Sequence, residues 1–154
     1  MTDQTLIECI VNGKQVRLPA RPGEMLAEML RERLGLTGTK IGCNEAECGA
    51  CTVLIDNKPI LSCTFPAVRA QGRNILTIEG LRQIHGDEDH LHPLQEAFIL
   101  HGAVQCGFCI PGQIMTSYAL LLNKPEPTAE DIQHALKDTP VSYTHLTLPT
   151  KRIV

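Results

Sequence analysis

Aromatic residues are scarce in this sequence of 154 residues. It contains no tryptophan, two tyrosines and three phenylalanines, which together make up 3% of the chain. Proteins that bind single-stranded nucleic acids stack bases on aromatic side chains, and nucleic-acid-binding proteins in general carry clustered lysines and arginines. Here the 14 basic residues are scattered along the chain and the formal net charge is −3. Both features argue against a nucleic-acid-binding protein.

Long apolar segments are also missing. No apolar run approaches the roughly 20 residues that a membrane-spanning helix needs. The first residues, MTDQT, lack the basic and then apolar pattern of a secretory signal. We therefore expect no membrane association and a cytoplasmic location. In a reducing compartment, metal binding explains the seven cysteines better than a disulfide framework does.

The spacing of apolar residues predicts an α+β fold. The first half predicts a small mixed sheet, with strands near residues 5–11, 16–18, 52–56, 60–63 and 74–78, and one helix near 24–35 that ends at Gly35. An Asn-Gly pair at 12–13 predicts a hairpin. The second half is predicted to be helical, with segments opened by His92-Pro93, by Pro111 and by Thr128 as a cap. The boundary between the halves falls near residues 80–90.

The strongest motif is a group of four cysteines: Cys43, Cys48 and Cys51 within GCNEAECGAC, and Cys63 after a short pair of strands. The spacing C-x4-C-x2-C matches the opening of plant-type [2Fe-2S] sites, although the fourth cysteine follows sooner than in plant ferredoxins. Gly42 and Gly49 would allow the loop to adopt the unusual dihedral angles that wrapping a cluster requires. A four-cysteine zinc site is the alternative, but it usually has two separate pairs of closely spaced cysteines.

A second motif, QCGFC at residues 105–109, contains Cys106 and Cys109 just before the helix that Pro111 opens. A Cys-x-x-Cys pair is either a redox disulfide or half of a four-thiolate metal site. A thioredoxin-like motif would follow a strand and open a helix in a βα unit, and that context is missing here. The positive end of the helix dipole would favour an anionic cluster beside this pair.

Taken together, GTKIGCNEAECGACTVLIDNKPILSC and QCGFCIPG resemble the small iron–sulfur subunit of the xanthine dehydrogenase, or molybdenum hydroxylase, family. Relatives in that family include aldehyde oxidoreductases and aerobic carbon monoxide dehydrogenase. The resemblance covers about residues 4–139. It implies a β-grasp ferredoxin-like domain over 1–80 and a four-helix domain over 81–140, each with one [2Fe-2S] cluster. It also implies an oxidoreductase subunit without catalytic residues of its own. Such a subunit transfers electrons from a molybdopterin-binding large subunit toward an FAD-binding medium subunit.

The resemblance also assigns roles at the second motif. In that family the second cluster takes two cysteines from a QCGFC-like motif, here Cys106 and Cys109, and two from a later Cys-x-Cys. Gln105 would direct its amide at the pterin of the molybdenum cofactor, whereas from the residues alone it is a polar loop residue. The later pair is absent, because HALKDT (134–139) is followed by PVSYTHLTLPTKRIV, which contains no cysteine.

The last residues have neither helical periodicity nor a capping pattern, and they resemble a translated sequencing adapter. We therefore expect residues 141–154 to be a non-native tail, the helical domain to be incomplete, and one of the two cluster sites to lack two ligands. Two alternatives remain open. One is a stand-alone [2Fe-2S] ferredoxin-like carrier, whose helical half only stabilises it, and the other is a zinc-stabilised interaction module.

Two smaller expectations concern other possible ligands. Cys9 alternates with apolar neighbours in a predicted strand, so we expect it to be a small buried residue and not a ligand. His85, His90 and His92 surround the sequence GDED, which could suggest a metal-binding loop. Their irregular spacing favours a solvated charged connector instead.

Overall fold

Five strands form one mixed sheet: β1 (Leu6–Val11), β2 (Lys14–Pro19), β3 (Thr52–Ile55), β4 (Lys58–Leu61) and β5 (Asn74–Leu76). The strand order is β2-β1-β5-β3-β4. β1 pairs antiparallel with β2 and parallel with β5, and β3 lies antiparallel to both β4 and β5. The computed structural model describes residues 6–85 and 90–137, and the predicted mixed sheet is confirmed within them.

Tight turns of two residues close both hairpins of the sheet. Asn12 and Gly13 join β1 to β2 with φ angles of 50° and 77°, and Asp56 and Asn57 join β3 to β4 with 49° and 64°. Two consecutive residues with positive φ match the twist of an antiparallel pair, which is why Asn, Asp and Gly occupy such turns. The Asn-Gly hairpin predicted from the sequence is confirmed.

One helical segment crosses the sheet. Helix α1 comprises Leu26–Glu28 and continues as a π-helix over Met29–Arg33. Its apolar side chains Leu26, Met29 and Leu30 are completely buried against the sheet. The chain leaves the segment through Gly35, which has a φ of 68°. The predicted helix is therefore confirmed, but its second part has the wider π geometry, which hydrophobic spacing does not distinguish from an α-helix.

The second half is helical, as predicted, with α2 (Ile78–Leu81), α3 (Pro93–Leu100), α4 (Ile110–Asn123) and α5 (Ala129–Leu136). The hydroxyl of Thr128, the predicted cap of α5, accepts a hydrogen bond from the Asp131 N–H at 3.2 Å. Within residues 6–85 and 90–137, no helix has the length and apolar content that crossing a membrane would require. A mixed α/β architecture is thus established, while the four-helix domain stays a prediction.

Strand β3 lies between the cores of the two halves. Val53 and Ile55 belong to the core formed with α1, whereas Leu54 packs against Ile114 and Met115 of α4 on the other side. Alternate residues of a strand point to opposite faces of a sheet, so all four residues of this short strand are buried. Helix α4 therefore lies on the strand that directly follows the cysteine loop.

A chain of hydrogen bonds ties the start of the cysteine loop to the junction between the halves. The Glu79 carboxylate accepts from the Gly38 N–H at 2.8 Å and from the Thr77 hydroxyl at 2.6 Å. The Thr77 N–H donates to the Asn12 side chain, and the Asn12 amide donates to the Thr77 hydroxyl, both at 2.9 Å. Hydrogen bonds to a carboxylate are stronger than neutral ones, so this network holds the loop at a fixed position.

Several expectations concern residues away from the main motif. The tail 141–154 and the GDED segment (86–89) lie outside the described residues. His92 is buried and its Nδ1 accepts from the Leu94 N–H at 3.1 Å, so it caps helix α3. None of the seven cysteines, all of which lie in the described residues, forms a disulfide. Cys9 is 5% exposed within the core, which confirms that it is a small buried residue.

Candidate metal centre

The loop before β3 directs backbone N–H groups at one cysteine sulfur. Cys43 Sγ accepts hydrogen bonds from the N–H groups of Glu45, Glu47 and Cys48, each at 3.4 Å. The Cys43 N–H in turn donates to Cys48 Sγ at 3.4 Å. The N–H groups of Cys48 and Glu45 lower the pKa of the Cys43 thiol to about 7. Because a metal binds the thiolate, this sulfur is prepared for ligation.

The shape of the loop depends on residues with left-handed backbone. Asn44, Ala46 and Gly49 have φ angles of 58°, 60° and 69°. This conformation is unfavourable for alanine, and it turns the amides of the loop toward the sulfur. Gly49 therefore has the role expected from the sequence. Gly42 does not have a positive φ; instead, a Cβ at this position would lie 2.8 Å from Cys48 Sγ, so this glycine provides space.

The other two cysteines of the first motif are deeply buried. Cys51 is 1% exposed and Cys63 is 3% exposed, and both pack against Ala27. Burial raises the pKa of the Cys51 thiol to about 12, although a hydrogen bond from the Cys63 backbone opposes this rise. In such surroundings a thiolate requires a bound cation to compensate its charge. The structure thus provides one thiol that ionises easily and one that needs a metal.

The four cysteines of the first motif come together as two pairs. Cys43 and Cys48 share a hydrogen bond, and Cys51 and Cys63 are in contact. In the described part of the chain, no group of three His, Cys, Asp or Glu side chains converges on one metal-ion position. A [2Fe-2S] cluster is held by four thiolates, two on each of its two irons. The donor set therefore fits a [2Fe-2S] cluster, and ligation by these cysteines stays a prediction.

The second motif lies at the beginning of α4. Cys109 is the residue before this helix and is 4% exposed, whereas Cys106 and Gln105 are exposed. The side-chain amide of Gln113 donates to Cys109 Sγ at 3.4 Å. Sequence reasoning did not identify Gln113, although its position four residues after Cys109 places both on one face of the helix. Two thiols are half of the four that a cluster takes.

Exposed apolar residues precede the second motif. Ile99, Leu100 and Val104, here called the apolar face, are 59%, 80% and 41% exposed. Gln105 directly follows Val104 in the chain. Exposed apolar side chains that form a contiguous patch are typical of a surface that contacts another protein, so we take these three residues as a candidate contact surface.

Substituting Gly42 by alanine should remove most of the bound iron. The new Cβ would meet Cys48 Sγ at 2.8 Å, so this sulfur has to shift from the position in which it would bind iron. Iron per chain and visible absorption of the purified protein measure this loss. Gly72→Ala is the matched control, because Gly72 has a φ of 68° but nothing within 4 Å of its Cβ position. It should lower stability by about 1 kcal/mol through backbone strain and keep its iron. Full iron content in Gly42→Ala would contradict the role given to this glycine.

Two family models match the chain. The model described as a 2Fe-2S iron-sulfur cluster binding domain matches residues 9–73, and the model described as a [2Fe-2S] binding domain matches residues 77–140. With the mixed sheet and the paired cysteines, these matches define the class of the protein, a ferredoxin-type [2Fe-2S] protein.

Relatives narrow this class. The chain is 48% identical over 133 residues to a nicotinate dehydrogenase subunit from Pseudomonas putida, and the match covers 86% of this chain and 82% of the relative. It is 48% identical over 120 residues to the xanthine dehydrogenase iron-sulfur-binding subunit from Escherichia coli O157:H7, with 78% and 72% covered. Quinoline 2-oxidoreductase from Pseudomonas putida 86 superimposes with a TM-score of 0.83 at 40% identity, covering 90% of this chain and 83% of that one. The chain therefore belongs to the small iron–sulfur subunits of the xanthine dehydrogenase, or molybdenum hydroxylase, family.

Some relatives are much longer than this chain. The aldehyde oxidoreductase of Megalodesulfovibrio gigas is 44% identical over 124 residues, which are 80% of this chain and 13% of the relative.

Proposed function

We propose that this chain is the electron-transfer subunit of a cytoplasmic, molybdopterin-dependent hydroxylase. In this proposal it carries no catalytic residue and passes electrons from a molybdopterin-binding large subunit to an FAD-binding medium subunit. The observation that carries the proposal is the first cysteine loop. There, backbone N–H groups donate to Cys43, and Cys51 and Cys63 pack against the buried Ala27. That arrangement suits a stable redox centre.

The residues that would hold the first cluster are Cys43, Cys48, Cys51 and Cys63. When bound there, a [2Fe-2S] cluster supplies reversible one-electron transfer at a potential that depends on hydrogen bonds to its sulfurs and on solvent exposure. This chain provides the hydrogen bonds through N–H groups that donate to Cys43. It limits the solvent exposure through the core around Ala27, which covers Cys51 and Cys63. Cys106 and Cys109 would begin a second site. The matched ranges 9–73 and 77–140 support a division into two domains near residue 80.

The apolar face gives the proposed complex an orientation. Ile99, Leu100 and Val104 are exposed and lie next to Gln105 and Cys106 along the chain. We place the molybdopterin-binding subunit on this face, with the Gln105 amide directed at the pterin. In this proposal the first cluster then passes the electrons on to the acceptor. The names of the relatives, which describe subunits of dehydrogenases, support a docked protein and not a free carrier.

Spectroscopy and co-purification test this proposal. The purified chain should be red-brown, contain two irons and two inorganic sulfides, and give one paramagnetic signal after reduction. A colourless protein loaded with zinc would contradict it. Co-expressed with its large and medium subunits, the chain should co-purify with molybdenum and flavin. Leu100→Glu should abolish co-purification while keeping the iron, because it places a charge in the apolar face. The control Leu122→Glu changes an equally apolar, 45% exposed residue at the far end of α4 and should leave the complex intact.

A further inference from the structure

The ring of Phe108, a residue of the second motif, lies over the first cysteine loop. A Cβ built on Gly42 would sit 3.6 Å from Phe108 Cε1, 2.8 Å from Cys48 Sγ and 3.7 Å from Ala50 Cβ. Because both atoms lie within 4 Å of the same point, the edge of the aromatic ring and the sulfur of Cys48 are close neighbours around the space beside Gly42. Phe108 and Cys48 are 60 positions apart in the chain, so this contact results from the fold and not from the local loop.

Helix α4 makes a second contact with the same loop. A Cβ on Gly112 would lie 2.1 Å from the Gly49 carbonyl oxygen and 2.9 Å from Ala50 Cα. Gly112, Gly49 and Ala50 are all buried. The first turn of α4 therefore rests directly on the backbone between Cys48 and Cys51, and only a residue without a side chain allows this approach. This contact fixes where the start of α4, and with it Phe108, lies relative to the loop.

Phe108 lies beside the more open half of the first site. Cys51 and Cys63 are enclosed by the core around Ala27, whereas Cys43 and Cys48 are both half-buried, and Gly42, which has no side chain, lies beside Cys48. Phe108 is 37% exposed, so most of its surface is covered. The aromatic ring thus supplies the apolar cover that Gly42 cannot give.

We propose that Phe108 is a positioning residue of the first site, which keeps water away from Cys48 and thereby retains the cluster there and lowers its reduction potential. This inference rests on the proposed function, because it takes the first four cysteines to hold a [2Fe-2S] cluster. The outer surroundings of metal ligands typically change metal affinity by 10–100-fold when they are altered. Water next to a cluster also stabilises the reduced, more negative state, so exposure makes the potential less negative.

A simpler role for Phe108 is to contribute only to the surface that contacts another subunit. The two roles differ in what they predict for the isolated chain. If Phe108 acts only in docking, its removal leaves the cluster of the isolated chain unchanged. If it covers Cys48, its removal changes that cluster when no partner is present.

The test compares four variants of the full chain, purified with the cluster bound. Phe108→Ala should release iron to a chelator about tenfold faster than the unchanged chain, and its midpoint potential should be less negative. Phe108→Leu keeps part of the apolar cover, so its iron-release rate and midpoint potential should lie between those of Phe108→Ala and of the unchanged chain. Phe108→Tyr should match the unchanged chain in both. Leu122→Ala removes an exposed apolar side chain about 20 Å along α4 from Cys109, and it should have no effect.

The results distinguish a role of Phe108 in covering Cys48 from a role in docking alone. Equal iron-release rates and equal potentials in Phe108→Ala and in the unchanged chain would overturn the proposal. Failure of Phe108→Ala to assemble a cluster, with assembly in Phe108→Tyr, supports it, and Phe108→Leu then gives the rate and the potential. If Phe108→Tyr loses iron as fast as Phe108→Ala, apolar cover is not the cause and the proposal is wrong. An unchanged chain that binds no iron would instead refute the proposed function itself.

Discussion

A Cys51→Ser variant is expected to lose most of its bound iron, and its unfolding free energy should fall by several kcal/mol. Cys51 is 1% exposed and lies against Cys63 and Ala27, so the site has no room for water to replace a lost ligand. Serine gives up its proton far less readily than cysteine, and its hydroxyl would remain buried among apolar groups. Because metal binding and folding are coupled in small metal-binding domains, the loss of iron also removes stability.

The matched control for this prediction is Cys9→Ser. Cys9 is also buried, 5% exposed, but it lies in the sheet core and not in the cysteine loop. The substitution should lower stability by about 1–3 kcal/mol, the usual cost of burying a hydroxyl without a partner, and should leave two irons per chain. Iron analysis, visible absorption and urea denaturation measure both effects. Retention of two irons in Cys51→Ser would refute its role as a ligand, and iron loss in Cys9→Ser would show that the assay reports only misfolding.

Serine substitutions at Cys43 and at Cys51 should lower the stability of the protein by different amounts. Cys43 is half-buried and has three backbone N–H groups directed at its side chain, which a serine oxygen could also accept. Cys43→Ser should therefore lose iron but less stability than Cys51→Ser.

Local patterns predicted much of this structure. The Asn-Gly pair set the first hairpin, Thr128 and Asp131 formed the expected cap, and the alternation of apolar residues placed Cys9 in the core. The spacing of the first motif also indicated which cysteines would lie together. Each of these features depends on residues that are close in sequence, where turn chemistry, capping and periodicity act directly.

Contacts between distant residues could not be predicted in this way. The approach of Gly112 to Gly49, and of Phe108 to Gly42, depends on how α4 lies on β3. The sequence of β3 does not indicate which helix covers each of its two faces, because the pattern of a short apolar strand is the same whichever helix packs on it. For the same reason, the sequence explained Gly42 by backbone freedom, whereas the structure explains it by space beside Cys48.

The second site leads to a prediction about iron content. The 154-residue chain should hold two irons, and Cys106→Ser should not change that number. A [2Fe-2S] cluster takes four ligands, and the second motif offers only Cys106 and Cys109. The sequence contains no cysteine after Cys109, and Cys9 is enclosed in the core of the sheet. Iron and sulfide analysis, together with electron paramagnetic resonance after reduction, measure the number of clusters.

Supplying the missing ligands should double the iron content. If residues 140–154 are replaced by a Leu-Cys-Arg-Cys continuation, as in the family pattern, the chain should hold four irons and show a second paramagnetic signal. Cys106→Ser in this extended chain should return the content to two irons, because only there does Cys106 act as a ligand. A matched extension with Leu-Ser-Arg-Ser should stay at two irons, which separates new ligands from added length. Four irons in the unaltered chain, measured on a monomer, would show that other residues complete the second site. No gain with Leu-Cys-Arg-Cys would show that Cys106 and Cys109 are not half of a cluster site.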